Sequence, residues 1–345
     1  MVNDDDVVIV SYARTPIGRF GGSLKDVRSP HLAAEAIKAA LNRGNIEPKL
    51  VDEVVMGSTL QGGMGQNLSR YAALLAGLPK EVGAYTVNRV CSSGMQAIFE
   101  AYRELKVGDA AMMVAGGVAK KHEVPREELD EYAYISHTRA VKAVNEGLFK
   151  EVEPFDAKIG SSRILLERDE GIRPDTSLDK LKSLKPAFGP DGLHTAGNSS
   201  QLSDGAAALV LTTRAKAREL GLKPIARITG YSWAMLEPWR FPEAPIYAIN
   251  KLLEKTRTSI ADYDAFEINE AFAVVNVLIN KILGASYENM HIFGRAIALG
   301  HPLGASGARI VTTLITALHQ VGGRRGLAAL CHGTGGGTAI SIEVE

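Results

Sequence analysis

Short β-branched runs alternate with helix-period segments along the whole chain. The runs at 7–12, 51–56, 110–115, 207–213, 226–231, 327–331 and 338–344 predict strands. Apolar positions three and four apart predict helices over 31–43, 66–77, 93–106, 126–147, 245–256, 271–283 and 305–321. This alternation defines an α/β protein with covered sheets. The pattern also repeats. Ala36-Ile37, Leu41 and Asp52 recur as Ala248-Ile249, Leu253 and Asp264, each 212 residues further on, and Ser93-Gly94 recurs as Ser306-Gly307 at an offset of 213. Two duplicated α/β halves, 1–117 plus 200–222 and 223–345, are therefore expected back to back, with equivalent helix N-termini meeting near a pseudo-twofold axis. Between them, 118–199 reads as an inserted loop-rich subdomain: a charge-rich helix start at 126–131, then Pro154, Pro174, Pro186 and Pro190 among turn residues.

Composition narrows the function classes. The 345 residues carry 39 basic and 39 acidic side chains, so no global field recruits nucleic acid or an anionic membrane. No apolar run approaches spanning length, and Met1-Val2-Asn3-Asp4-Asp5-Asp6 is neither a signal nor a transit peptide, so a cytoplasmic protein is expected. Only two cysteines occur, Cys91 and Cys331, too few for a disulfide framework. Glycines cluster at 57–65, 116–117, 294–307 and 333–337, where backbone can approach a ligand.

Four stretches could carry chemistry. In Asn88-Arg89-Val90-Cys91-Ser92-Ser93-Gly94 a cysteine precedes a helix start, where unpaired amides favour a thiolate; a buried structural cysteine is the alternative. His301 sits in the Gly/Pro-bounded turn Gly300-His301-Pro302, held by backbone as a general base requires, whereas His31, His137 and His319 read as ordinary surface or core. Ser306 lacks the hydrolase-elbow spacing and is assigned to the helix start. Cys331-His332-Gly333-Thr334-Gly335-Gly336-Gly337 ends a strand in glycines whose amides could meet an oxyanion; no phosphate-loop or zinc-ligand spacing is present. Glu267-Ile268-Asn269-Glu270-Ala271-Phe272 sets two carboxyls and an amide at a strand-to-helix junction.

Together these stretches resemble the thiolase family. The Cys91 block is similar to its nucleophile motif, Asn269-Glu270-Ala271-Phe272 to its N-E-A-F motif, Gly300-His301-Pro302 to its G-H-P motif and Cys331-His332-Gly333 to its C-x-G motif. The resemblance implies a five-layered α-β-α-β-α core with a loop domain over the site. It implies Cys91 as the acyl-accepting nucleophile, His301 as its activator and Cys331 as acid/base. One oxyanion hole would come from His301 and a water on Asn269, the other from the Cys91 and Gly333 amides. Coenzyme A thioesters would be substrates, with no permanently bound cofactor. Arg173 would meet the nucleotide phosphates, Phe188, Ala196 and Phe272 would line the pantetheine side, and Ser200 would hydrogen-bond it.

Two departures stand out. After Val114-Ala115-Gly116-Gly117 the chain passes through Val118-Ala119-Lys120-Lys121-His122-Glu123 directly to Val124-Pro125-Arg126, omitting the family's tetramer-forming segment and acyl-pocket lid, so a homodimer is implied. Arg295 stands where the family has a second glycine; if that position is packed or at positive φ, a cation there costs stability or reshapes the site. Acetyl-CoA acetyltransferase activity is the leading expectation. The alternatives are a longer-chain 3-ketoacyl-CoA thiolase and a non-catalytic CoA-binding subunit of a hetero-complex.

Overall fold

The computed structural model describes residues 3–118, 127–159, 162–187 and 195–345. Its core strands are β1 (Val7–Arg14), β2 (Glu53–Ser58), β3 (Gly83–Val87), β4 (Met112–Val118), β5 (Ala207–Thr213), β6 (Ala226–Met235), β7 (Ala265–Ile268), β8 (Arg325–His332) and β9 (Gly336–Val344). Their spatial order is β7-β8-β9-β6-β1-β5-β4-β2-β3. The duplication is visible in that order. From β1 outward, the first half runs β1-β5-β4-β2-β3, parallel only at β4/β2/β3. From β6 outward, the second runs β6-β9-β8-β7 with the same directions, and a parallel bridge from Phe266 to Met290 occupies the place of a fifth strand. The halves join where β1 pairs antiparallel with β6, Val8 opposite Arg227 and Ile9 opposite Ala226.

The layers follow from strands buried on both faces. Along β1, Val8 and Val10 enter one apolar cluster while Val7 and Ile9 enter another, as the two-residue period requires. Helices α1 (Ser29–Arg43) and α2 (Leu68–Leu75) cover the outer face of the first half. α3 (Ser93–Val107) lies inside, and α4 (Glu127–Asn145) belongs to the insert. α5 (Ala244–Thr256) and α6 (Ala273–Leu283) cover the outer face of the second half. α7 (Leu303–Val321) joins α3 between the two half-sheets, and its residues from Leu303 to Leu318 are buried all round, as a central helix must be. The result is the expected α-β-α-β-α sandwich.

The central helices meet at their first turns. A methyl group on Gly94 would stand 2.8 Å from the Gly304 carbonyl oxygen, and one on Gly307 would stand 2.4 Å from the Met95 nitrogen. Glycine at these two equivalent positions lets the backbones touch, which draws the residues just before each helix to one place.

The insert is anchored by charge as well as by apolar contact. Leu129, Tyr132 and Ala133 of α4 pack with Leu181, Ala273, Val277 and Ile297. Arg14, fully buried at the end of β1, pairs with Glu151 at 3.2 Å and Asp169 at 2.8 Å. Removing one partner of such a buried pair leaves an uncompensated charge, so this clamp fixes the insert over the core. Among the described residues no helix is long and apolar enough to cross a membrane.

Candidate active site

Cys91 is buried immediately before α3. The loop that carries it is strained: Val90, a β-branched residue, has φ 48°. Hydrogen bonds hold that conformation. The Ser93 hydroxyl donates to the Val90 carbonyl at 2.7 Å, the Arg89 amide donates to Ser93 Oγ at 2.9 Å, and Ser92 Oγ pairs with Thr338 Oγ1 at 2.9 Å on β9. Burial pushes the Cys91 thiol up to about 12, opposed by a hydrogen bond from the Gly333 backbone. The helix N-terminus therefore does not by itself maintain a thiolate; loss of water outweighs it.

His301 precedes α7 and is fully buried. Its amide donates to Gln201 O at 3.2 Å, so the turn is pinned by backbone. Nδ1 lies 2.6 Å from Ser306 Oγ, whose hydroxyl donates to Pro302 O at 2.9 Å. With that proton committed, Ser306 accepts from Nδ1–H and leaves Nε2 as the basic nitrogen. Ser306 is thus not the helix-start residue expected from sequence: the N-cap position is Pro302, with no side-chain cap. The local signal was available, since positions 302 and 306 share one helical face. Burial, with Arg309 nearby, holds His301 down to about 3, so its ring is neutral.

Asn269 places its amide nitrogen 3.4 Å from either ring nitrogen of His301 and accepts from Arg309 Nη2 at 2.9 Å. Glu270 accepts from Tyr132 and Ser136 hydroxyls, each at 2.7 Å, and from the Ile297 amide at 3.1 Å, tying this segment to the insert. Arg295 has φ −146°, so the position is not left-handed and glycine is not required there. Its side chain is fully buried and ion-paired with Glu267, which supplies the counter-charge that sequence reasoning had not assigned.

Cys331 is the penultimate residue of β8, fully buried; burial and the neighbouring Cys91 push its thiol well above the ordinary range. Gly333 follows in the turn between β8 and β9, where a methyl group would lie 3.6 Å from Val90 Cγ1. Four segments therefore converge near where the first turns of α3 and α7 meet: the Cys91 loop, the Asn269 junction, the His301 turn, and the end of β8 with its turn, which carries both Cys331 and Gly333.

A cavity of about 400 Å³ is lined in part by Arg19, Arg173, Ala196, Ser199 and Ser200, and by Gln201 and Leu202, which bond and bridge to His301; none of the five residues above lines it. Among the described residues the buried hydroxyls of Ser199 and Ser200 have no hydrogen-bond partner. Such groups await a polar ligand or water. The Ser200 amide donates to Ala271 O at 3.1 Å, and the next residue, Gln201, receives His301, so this wall runs into the His301 turn. Phe272 is fully buried, bridged to Ser199 and edge-on to Phe241 at 6.0 Å, and is not among the residues lining this cavity. Phe188 lies outside the described residues.

Comparison with known proteins gives the class. Thiolase N-terminal domain models match 7–120 and 118–215, and the thiolase C-terminal domain model matches 222–344. The chain belongs to the thiolase family. It is 40% identical to the acetyl-CoA acetyltransferase of Synechocystis, covering 98% of this chain and 99% of that one. The Bacillus anthracis acetyl-CoA acetyltransferase structure superposes with a TM-score of 0.95 at 40% identity, covering 99% of each chain. Human mitochondrial 3-ketoacyl-CoA thiolase gives 0.93 at 33% identity, covering 98% of each. The Synechocystis alignment runs over 392 positions against 345 residues here, so at least 47 positions have no counterpart. The N-terminal domain match breaks and resumes at 118–120, where the sequence places its missing segment.

Proposed function

We propose that the chain is an acetyl-CoA acetyltransferase that condenses two acetyl-CoA to acetoacetyl-CoA and CoA, and runs the reverse thiolysis, through an acetyl group on Cys91. The relatives at 40% identity over nearly full length support this substrate. The observation that carries the mechanism is that a neutral, Nε2-basic His301 and a buried, protonated Cys91 precede two helices whose first turns touch.

A thiol pushed this far up by burial is protonated at neutral pH, so the proton must move during attack. As Cys91 Sγ bonds the acetyl carbon, Nε2 of His301 takes its proton. The thioester C–S bond breaks and Cys331 protonates the departing CoA. Cys331, now a thiolate, removes an α-proton from the second acetyl-CoA. The enolate oxygen is met by protonated His301 and a water on Asn269; the tetrahedral oxygen on the acetylated Cys91 is met by the Cys91 and Gly333 amides. Carbon–carbon bond formation expels Cys91, which recovers its proton from His301.

Coenzyme A would enter through the 400 Å³ cavity, its phosphates toward Arg173, its pantetheine past Ala196 with Ser200 as a hydrogen-bond partner. We place the enzyme in the reducing cytoplasm as a homodimer. Both cysteines are free, and exposed Trp233, Met235 and Trp239 near the end of β6 offer apolar surface for a second copy. Incubation with acetyl-CoA followed by peptide mass spectrometry tests the central step: an acetyl group on the Cys91 peptide supports it, and acetylation elsewhere or nowhere overturns it. A marked preference for long ketoacyl chains in thiolysis would select the longer-chain reading.

A further inference from the structure

His332 has no part in the chemistry above, yet its side chain is nine-tenths buried between Cys331 and Gly333. Its Nδ1 lies 3.1 Å from the Gly333 carbonyl oxygen. A carbonyl only accepts, so Nδ1 carries the proton and donates. The Thr334 hydroxyl donates to the same oxygen. Thr334 is itself a β-branched residue at φ 73°, a conformation retained only where surrounding contacts over-determine it. The imidazole occupies the space that a side chain at Gly336 would need, where a methyl group would come within 1.8 Å of Cε1.

We propose that His332 is a positioning residue for the Gly333 amide, its Nδ1–H locking the Gly333 carbonyl so that the Gly333 N–H stays aimed at Cys91. A glycine backbone turns freely unless the peptides on both sides of it are pinned. On one side, His332 is fixed in register with Gly336 across β8 and β9. On the other, two donors hold the Gly333 oxygen. Their combined effect fixes an amide that has no side chain to hold it. Burial keeps His332 neutral, its own titration pushed down to about 4, so the Nδ1 donor persists across the working pH range.

This inference rests on the proposed oxyanion role of Gly333, but its test does not require turnover. Iodoacetamide alkylation at pH 8, quantified on the Cys91 peptide, reports the thiolate fraction that the Gly333 N–H supports. His332→Leu removes the donor; His332→Asn keeps an N–H near the Nδ1 position. Alkylation is expected to slow about three- to tenfold in H332L and stay within twofold of wild type in H332N. Acetylation of Cys91 by acetyl-CoA should follow the same order, with the KM for CoA unchanged. Equal rates in wild type and H332L, or equal losses in both variants, would overturn the assignment. Alkylation in the predicted order without acetylation of the wild type would instead overturn the thiolase chemistry and leave the positioning role standing.

Discussion

His301 Nδ1 and Ser306 Oγ lie 2.6 Å apart, and the serine proton is already committed to Pro302 O. This pair decides which ring nitrogen is basic. Ser306→Ala frees the tautomer and lets the ring turn toward Asn269. The expected result is a fall of about 10- to 100-fold in kcat with KM for acetoacetyl-CoA changed less than threefold, read from steady-state thiolysis. An unchanged kcat would remove Ser306 from the mechanism.

Arg295 and Glu267 form a fully buried ion pair beside the Asn269 segment. Arg295→Gly strands the Glu267 carboxylate in the core and should cost about 3–5 kcal/mol in urea unfolding. Neutralising both partners, R295G with E267Q, should recover most of that loss. If the double variant is no more stable than R295G, the two are not coupled.

Acid should weaken the fold. Burial lowers His137 to about 4, His301 to about 3 and His332 to about 4, against about 6.5 in the unfolded chain. Between those values the unfolded chain binds protons that the folded one refuses, so stability is lost as pH falls below about 6.5 and recovered as it rises. Glu270, raised by burial, acts in the opposite sense, since its folded carboxyl protonates more readily. The imidazoles outnumber it. Each contributes up to about 1.4 kcal/mol per pH unit, so urea unfolding should show lower stability at pH 5.5 than at pH 7. Replacing His137, which lies outside the catalytic cluster, with Phe should flatten that slope; an identical slope would contradict the assignment.

Arg173→Ala should raise the KM for CoA about tenfold while kcat at saturation stays within twofold, and the difference from wild type should shrink in high salt. A KM independent of Arg173 would place the nucleotide elsewhere along the cavity.

The layers were legible because buried strands and a central helix leave strong patterns, and the 212-residue repeat disclosed the duplication before any contact was known. Two strands gave no periodic run, though a strand-to-helix junction was read at 267–272. β3 is a five-residue edge with half-exposed positions, and β7 has four residues, both too short for their period to show. At the site, motif spacing named Cys91, His301 and Cys331, but roles that depend on a bond across space stayed hidden. Ser306 reads as a helix-start serine until its distance to His301 is seen. Arg295 reads as an intrusion until Glu267 appears beside it. Burial was hidden too: a cysteine before a helix suggests a thiolate, and only the packed core shows that water loss wins.

CoA-dependent cleavage of acetoacetyl-CoA by the purified chain, measured beside Cys91→Ala, tests acyl transfer through Cys91. Turnover in the wild type that falls to the no-enzyme rate in C91A is the predicted result. A folded wild type that binds CoA yet gives no turnover, or a C91A variant that retains it, would contradict acyl transfer through Cys91.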